Sequence, residues 1–142
     1  MRIYFDTSFL SSLYVPDSNT PAAVAAVQPA SAVKLVTHLT ELELRSALQL
    51  RVFRKELTPP SAAAAQAIWQ KNLGDGHFHL CALPETWSQR SHAIAKEYTA
   101  RLGIRTLDLI HVACALELGA DTLFSFDEKQ RRLARELKLR LN

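Results

Sequence analysis

Glycine is scarce in this sequence, with four in 142 residues, and none of them builds a glycine-rich phosphate-binding loop. That absence removes the usual loop-based grip on a nucleotide or small phosphate ester. Cysteine is scarcer: Cys81 and Cys114 stand far apart with no metal-ligand spacing. Neither a zinc site nor a disulfide framework is expected, and two thiols in a reducing cytoplasm is the reading adopted. No apolar run approaches the roughly 18 residues of a membrane span, so no membrane association is expected. The opening Met-Arg-Ile-Tyr-Phe-Asp meets charge too early for a signal peptide. Internal repeats, low-complexity tracts and linkers are also missing, which points to one domain over residues 1–142.

The 48% of hydrophobic residues against 22% charged is enough to fill a core at this length. A net charge of +3 tilts weakly towards a polyanionic partner. The distribution says more than the sum. Arg45, Arg51, Arg54 and Lys55 gather around one helix, and Lys129, Arg131, Arg132, Arg135, Lys138 and Arg140 crowd the C-terminal end. Acidic residues that converge elsewhere are therefore not part of a generally acidic surface.

The pattern alternates strand and helix. Arg2–Phe5 reads as a strand ending at Asp6-Thr7-Ser8, then a short helix to Tyr14, stopped by Pro16, and a helical segment Ala22–Val27. Val33–Thr37 is a second strand, followed by a helix from about Leu39 to Arg54 that the Pro59-Pro60 pair ends. Ser61 is placed to cap the alanine-rich helix Ala62–Leu73, Phe78–Leu83 to form a third strand, and Pro84 to open the next helix. Leu107–Leu118 is apolar almost all round, as a buried helix is, and Gly119 suits its C-terminal stop. Thr122–Phe126 is a strand ending on Asp127, Glu128–Leu137 a final helix and Lys138–Leu141 an edge strand. This order predicts a three-layer α/β/α domain around a mostly parallel sheet of four to five strands.

Ligands of such sheets bind beyond the carboxyl ends of the strands. Asp6 and Asp127 follow two strands directly, and Asp108 opens the helix that leads into the second of them. The fourth acid is a choice between Glu41, which has Arg45 at i+4 as a surface partner, and Glu43, which shares a face with Ser46, Ala47 and Leu50; Glu43 is preferred. Carboxylates about 5 Å apart at an effective dielectric of about 20 repel by roughly 3 kcal/mol per pair. A hard divalent cation, Mg²⁺ or Mn²⁺, relieves that repulsion and activates water or stabilises charge on phosphate. Metal-assisted hydrolysis of a phosphodiester is the chemistry this suggests.

Each acid also has a plain structural reading. Asp6 could cap the following helix. Asp127 could cap the last one with Gln130 as capping-box partner. Asp108 could be a first-turn acid, and Glu43 could close a box with Thr40. Agreement of all four on one edge favours function. His111 reads as a hydrogen-bonded core residue, though it could touch a ligand. Ser125 and Thr7 could orient a carboxylate or serve as caps and turns. His77, His79 and His92 look ordinary, and Trp69 and Trp87 more suited to packing than to base stacking.

Phe5-Asp6-Thr7-Ser8, Leu42-Glu43-Leu44-Arg45-Ser46-Ala47-Leu48, Asp108-Leu109-Ile110-His111-Val112-Ala113 and Phe124-Ser125-Phe126-Asp127 resemble, in order and spacing, the motifs of PIN domains, and among those the VapC-type toxins of bacterial toxin–antitoxin pairs. The resemblance implies a Mg²⁺- or Mn²⁺-dependent endoribonuclease with Asp6, Glu43, Asp108 and Asp127 as its four acids. Asp6 and Asp108 would be the principal metal ligands, Glu43 and Asp127 supporting acids, and Ser125 a hydroxyl beside them. It also implies an RNA substrate, a homodimer and a cognate small antitoxin. Two alternatives remain: a PIN-like module that binds RNA or protein without cleaving, and a small-molecule phosphohydrolase. The latter lacks support, since Asp6 is followed by Thr7-Ser8 rather than by the Asp-x-Asp of haloacid dehalogenase-type phosphatases.

Overall fold

The structure, a computed structural model, describes residues 1–27 and 31–142. Five strands form one sheet in the order β3-β2-β1-β4-β5, namely β1 (Arg2–Phe5), β2 (Val33–Thr37), β3 (His79–Cys81), β4 (Thr122–Phe124) and β5 (Arg140–Leu141). All four pairings are parallel, so the mostly parallel sheet of the sequence reading is a wholly parallel one. Parallel strands need crossover connections and bury both faces. Alternation along β1 supplies both cores: Ile3 and Phe5 enter one cluster and Tyr4 the other.

On the Ile3/Phe5 side lie α1 (Thr7–Tyr14), α2 (Thr20–Val27), α3 (His38–Phe53) and α4 (Pro59–Gly74). Phenylalanine fills this layer: Phe5 packs edge-on to Phe124, its partner in register, with centroids 5.0 Å apart, and Phe9 stacks on Phe126 at 5.2 Å. The other face carries α5 (Trp87–Ile94), which runs through a π-helical turn (Ala95–Thr99) into α6 (Ala100–Leu102). Beside it lie α7 (Thr106–Glu117) and α8 (Glu128–Glu136). Among the described residues no helix is long and apolar enough to cross a membrane.

Several boundaries differ from the sequence reading for identifiable reasons. Thr37, not Thr40, caps α3. Thr40 is the N3 member of a reciprocal capping box, which leaves Glu43 without a capping role. Pro59 and Pro60 begin α4 rather than merely end α3, because the first helical turn needs no backbone donor there; Thr58 is the cap, not Ser61. Pro84 sits in a turn whose carbonyl accepts from Trp87 N at 2.9 Å, so α5 starts at Trp87. Helix α7 ends as anticipated at Gly119, whose φ is +67°. Gly119 N donates to Leu116 O and Ala120 N to Ala115 O, the two bonds of a Schellman stop.

The strand before Asp127 is shorter than expected. It stops at Phe124 because the next backbone donors are claimed by side chains: Ser125 N by Asn142 Oδ1 at 2.9 Å and Phe126 N by Ser8 Oγ at 2.9 Å. Asp127 therefore lies beyond the strand in a short connection, not at the strand's end.

Candidate active site

The central strands β1 and β4 run side by side, and their carboxyl ends open onto the same edge. Asp6 follows β1 and is 1% exposed. It is the N-cap of α1, accepting from Phe9 N at 2.8 Å. A cap alone would not need burial or further donors. Asp6 has both: Ser8 Oγ donates to its carboxylate at 2.8 Å and Ser125 Oγ at 2.7 Å. Burial pushes its pKa above the usual carboxylate value, while the Ser125, Phe9 and Ser8 donors and nearby His111 pull it back. This is an expensive place for a carboxylate, held open by a ring of donors.

Asp127 is also a cap, of α8, accepting from Gln130 N at 2.8 Å. Its own N–H donates to Ser125 Oγ at 3.0 Å. One hydroxyl thus donates to Asp6 and accepts from the Asp127 backbone, fixing the two segments together. Gln130 does not complete the expected capping box. Its side-chain Nε2 instead donates to Asp108 Oδ1 at 3.2 Å, so a single residue ties Asp127 to Asp108.

Asp108 lies in the first turn of α7, with Arg105 Nε 3.3 Å from its other oxygen. Since α7 leads into β4, its N-terminus returns to the carboxyl edge of the sheet. Glu43 reaches the same edge from α3, where Thr7 Oγ1 donates to its Oε1 at 3.3 Å. Glu43 and Asp108 line one open depression of about 360 Å³, together with Arg105, Thr106 and Leu107.

The hydrogen bonds therefore join Asp6 to Asp127 through Ser125, Asp127 to Asp108 through Gln130, and Glu43 to the residue beside Asp6 through Thr7. Glu41 is directed elsewhere, towards Gln70 and His38. His111, which the sequence reading set aside as core, is indeed 1% exposed, yet its Nε2 contacts Glu43 Oε1. Tyr4 and Ser8 were not singled out as partners of the acids, and Gln130 only as a capping-box partner of Asp127, not as a donor to Asp108. Ser8 had one local signal: two residues after a capping aspartate, a serine can reach back to it. Trp69 is wholly buried in α4, and His77 and His79 lie away from the acids on the β3 side.

The donors available to an ion are carboxylate oxygens, which suit a hard divalent cation. Among the described residues no three His, Cys, Asp or Glu side chains are gathered closely enough to cage an ion by themselves. Asp6 and Asp108 are the carboxylates that could hold Mg²⁺ or Mn²⁺, an ion commonly bound through one or two carboxylates with water in the remaining positions.

The PIN domain profile matches residues 3–136. A comparison with curated proteins finds none that matches. Among solved structures, the chain is similar to the sarcin–ricin-loop-cleaving toxin VapC20 of Mycobacterium tuberculosis. That match has 18% identity and a TM-score of 0.68, covering 92% of this chain and 93% of the other. VapBC2 of Rickettsia felis, bound to a promoter DNA fragment, matches at 15% identity and a TM-score of 0.69, over 100% of this chain and 98% of its counterpart. A toxin–antitoxin complex of Klebsiella pneumoniae matches at 18% and 0.61, over 90% and 88%.

Proposed function

The chain belongs to the PIN domain family, and on that premise we propose that it is a metal-dependent endoribonuclease, the toxin of a toxin–antitoxin pair. The observation that carries the reading is the linkage of Asp6, Asp127 and Asp108 through Ser125 and Gln130, with Glu43 beside them, at the carboxyl edge of the sheet. Acids of purely structural use do not need donors drawn from α1, α7, α8 and the connection between β4 and α8 alike. In this reading Asp6 and Asp108 hold Mg²⁺ or Mn²⁺, and Glu43 and Asp127 are the supporting acids. The bound ion supplies electrostatic stabilisation of charge developing on the scissile phosphate.

The protein's own part is placement. The Ser125 and Ser8 hydroxyls oppose the rise that burial imposes on the Asp6 pKa. Gln130 fixes one oxygen of Asp108 and leaves the other facing Arg105. Arg105, exposed at the rim, is suited to a phosphate of the RNA backbone.

An antitoxin partner is supported by similarity to the Klebsiella pneumoniae toxin–antitoxin complex and the Rickettsia felis VapBC2 structure. Homodimerisation and work in a reducing cytoplasm complete the proposal; the free Cys81 and Cys114 suit that compartment. Incubating the protein with total RNA, with and without Mn²⁺, tests the reading. Cleavage should require the ion and vanish in Asp6→Asn. Cleavage that persists in EDTA and in Asp6→Asn would overturn it, as would wild-type protein that binds RNA without cutting it.

A further inference from the structure

We propose that His111 is a positioning residue: Tyr4 holds it in a single neutral tautomer, with the proton on Nε2, so that it fixes the Glu43 carboxylate at the acid cleft. The inference rests on the nuclease reading for the purpose it assigns to Glu43, but not for the proton arrangement itself. The geometry is a buried chain. Tyr4 Oη lies 2.9 Å from His111 Nδ1, and His111 Nε2 contacts Glu43 Oε1. On its other side Tyr4 Oη faces Thr37 Oγ1 at 3.0 Å and Thr40 Oγ1 at 3.3 Å.

The order of protons follows from the capping box. Thr37 Oγ1 accepts from Thr40 N, and Thr40 Oγ1 accepts from Thr37 N. Each threonine hydroxyl already accepts from the backbone, and the two lie 3.3 Å apart, so one proton can pass between them while the other is given to Tyr4 Oη, which is within reach of both. Tyr4 in turn has one phenolic proton to place. Having received from a threonine, Tyr4 donates to the remaining neighbour, His111 Nδ1. An imidazole that accepts at Nδ1 carries its proton at Nε2, and Nε2 meets the carboxylate. The opposite order would set a nitrogen lone pair against Glu43. The chain is thus polarised from the α3 cap, through β1 and α7, to an acid on the second turn of α3 itself.

A core histidine that only filled space would not need this. His111 belongs to α7, Tyr4 to β1 and Glu43 to α3; the contact spans the sheet's edge and leaves one carboxylate oxygen fixed while the other remains available at the cleft. Residues that orient a site's acids from behind typically alter activity about 10–100-fold when removed.

The experiment has two arms. Ring ¹⁵N spectra of the wild-type protein, with His111 assigned by its loss in His111→Gln, should show one protonated ring nitrogen, Nε2. Protonation at Nδ1 alone, or at both nitrogens, overturns the proposal whether or not the protein cuts RNA. In the second arm, His111→Leu should lower kcat for RNA cleavage about 10–100-fold with KM little changed. His111→Gln, which returns an N–H near the Nε2 position, should recover most of it. Tyr4→Phe should give a smaller loss and scramble the ring signal. His111→Leu turning over at the wild-type rate refutes the positioning role while leaving the nuclease reading intact. Should His111→Leu not fold, the Gln and Tyr4→Phe variants decide: equal activity in all folded variants refutes the role.

Discussion

Ser125→Ala isolates the hydroxyl that joins two of the acids. The serine is wholly buried, donates to Asp6 Oδ2 at 2.7 Å and accepts from Asp127 N at 3.0 Å. Alanine fits the space and leaves no cavity of consequence, so the loss is of hydrogen bonding. A bond to a buried charged group contributes about 1.5–3 kcal/mol, and a stranded donor adds to the cost, for about 2–4 kcal/mol in all. Against a domain stability of about 5–15 kcal/mol that is a large fraction, and it should lower the urea midpoint by about 1–2 M.

The pH dependence carries the diagnosis. Burial raises folded Asp6 above its ordinary value of 3.8. Asp6 therefore costs stability as pH climbs through its folded value, and the cost is absent where it is protonated in both states. Ser125 is the first of the donors that oppose this rise. Removing it raises the folded value further. The deficit of the variant, measured by urea unfolding in EDTA, should be greatest near neutrality and shrink as pH falls towards 3.8. A deficit independent of pH, or one that grows in acid, would show that Ser125 does not act on the Asp6 carboxylate.

Two further outcomes separate site from scaffold. Gln130 is buried with its Oε1 unpartnered while its Nε2 serves Asp108. Gln130→Leu should accordingly change thermal stability by no more than about 1 kcal/mol, yet cut RNA cleavage sharply; a severe loss of stability with cleavage unchanged would assign Gln130 to the core instead. Cys114 is buried, and its thiol is pushed up to about 12. A thiol-alkylating reagent at pH near 8 should modify the more exposed Cys81 and reach Cys114 only on unfolding, by mass spectrometry of the digested protein; native-state labelling of Cys114 would show that α7 opens readily.

The sheet was legible because its signals are local. Ile3-Tyr4-Phe5, Lys34-Leu35-Val36 and Leu123-Phe124 are short β-favouring runs separated by helix patterns, and that alternation commits the chain to parallel pairing. Boundaries failed where a side chain took over a backbone partner. Nothing in Thr122–Phe126 announces that Asn142 and Ser8 will take the donors of Ser125 and Phe126 and end the ladder early. Thr37 displaced Thr40 as the α3 cap for a similar reason: two threonines three apart each offered a hydroxyl, and the strand's end point decided between them.

The acids were legible as residue types at suggestive places, and their structural readings were partly right, since Asp6 and Asp127 are both helix caps. Capping and site geometry are not alternatives here. A cap aims a carboxylate along a helix N-terminus, and the helices that follow β1 and β4 start at one edge of the sheet, so capping is what brings Asp6 and Asp127 together. What distinguishes them from ordinary caps is the donors contributed by distant segments: Ser125 lies 119 positions from Asp6, and His111 lies 68 from Glu43. Such pairings have no periodicity and no spacing rule, because they exist only once the crossovers are folded. The same limit explains why His111 read as core. Its neighbours in sequence are apolar, and only the folded chain, which sets His111 of α7 between Tyr4 of β1 and Glu43 of α3, turns a buried ring into a contact between a tyrosine and an acid.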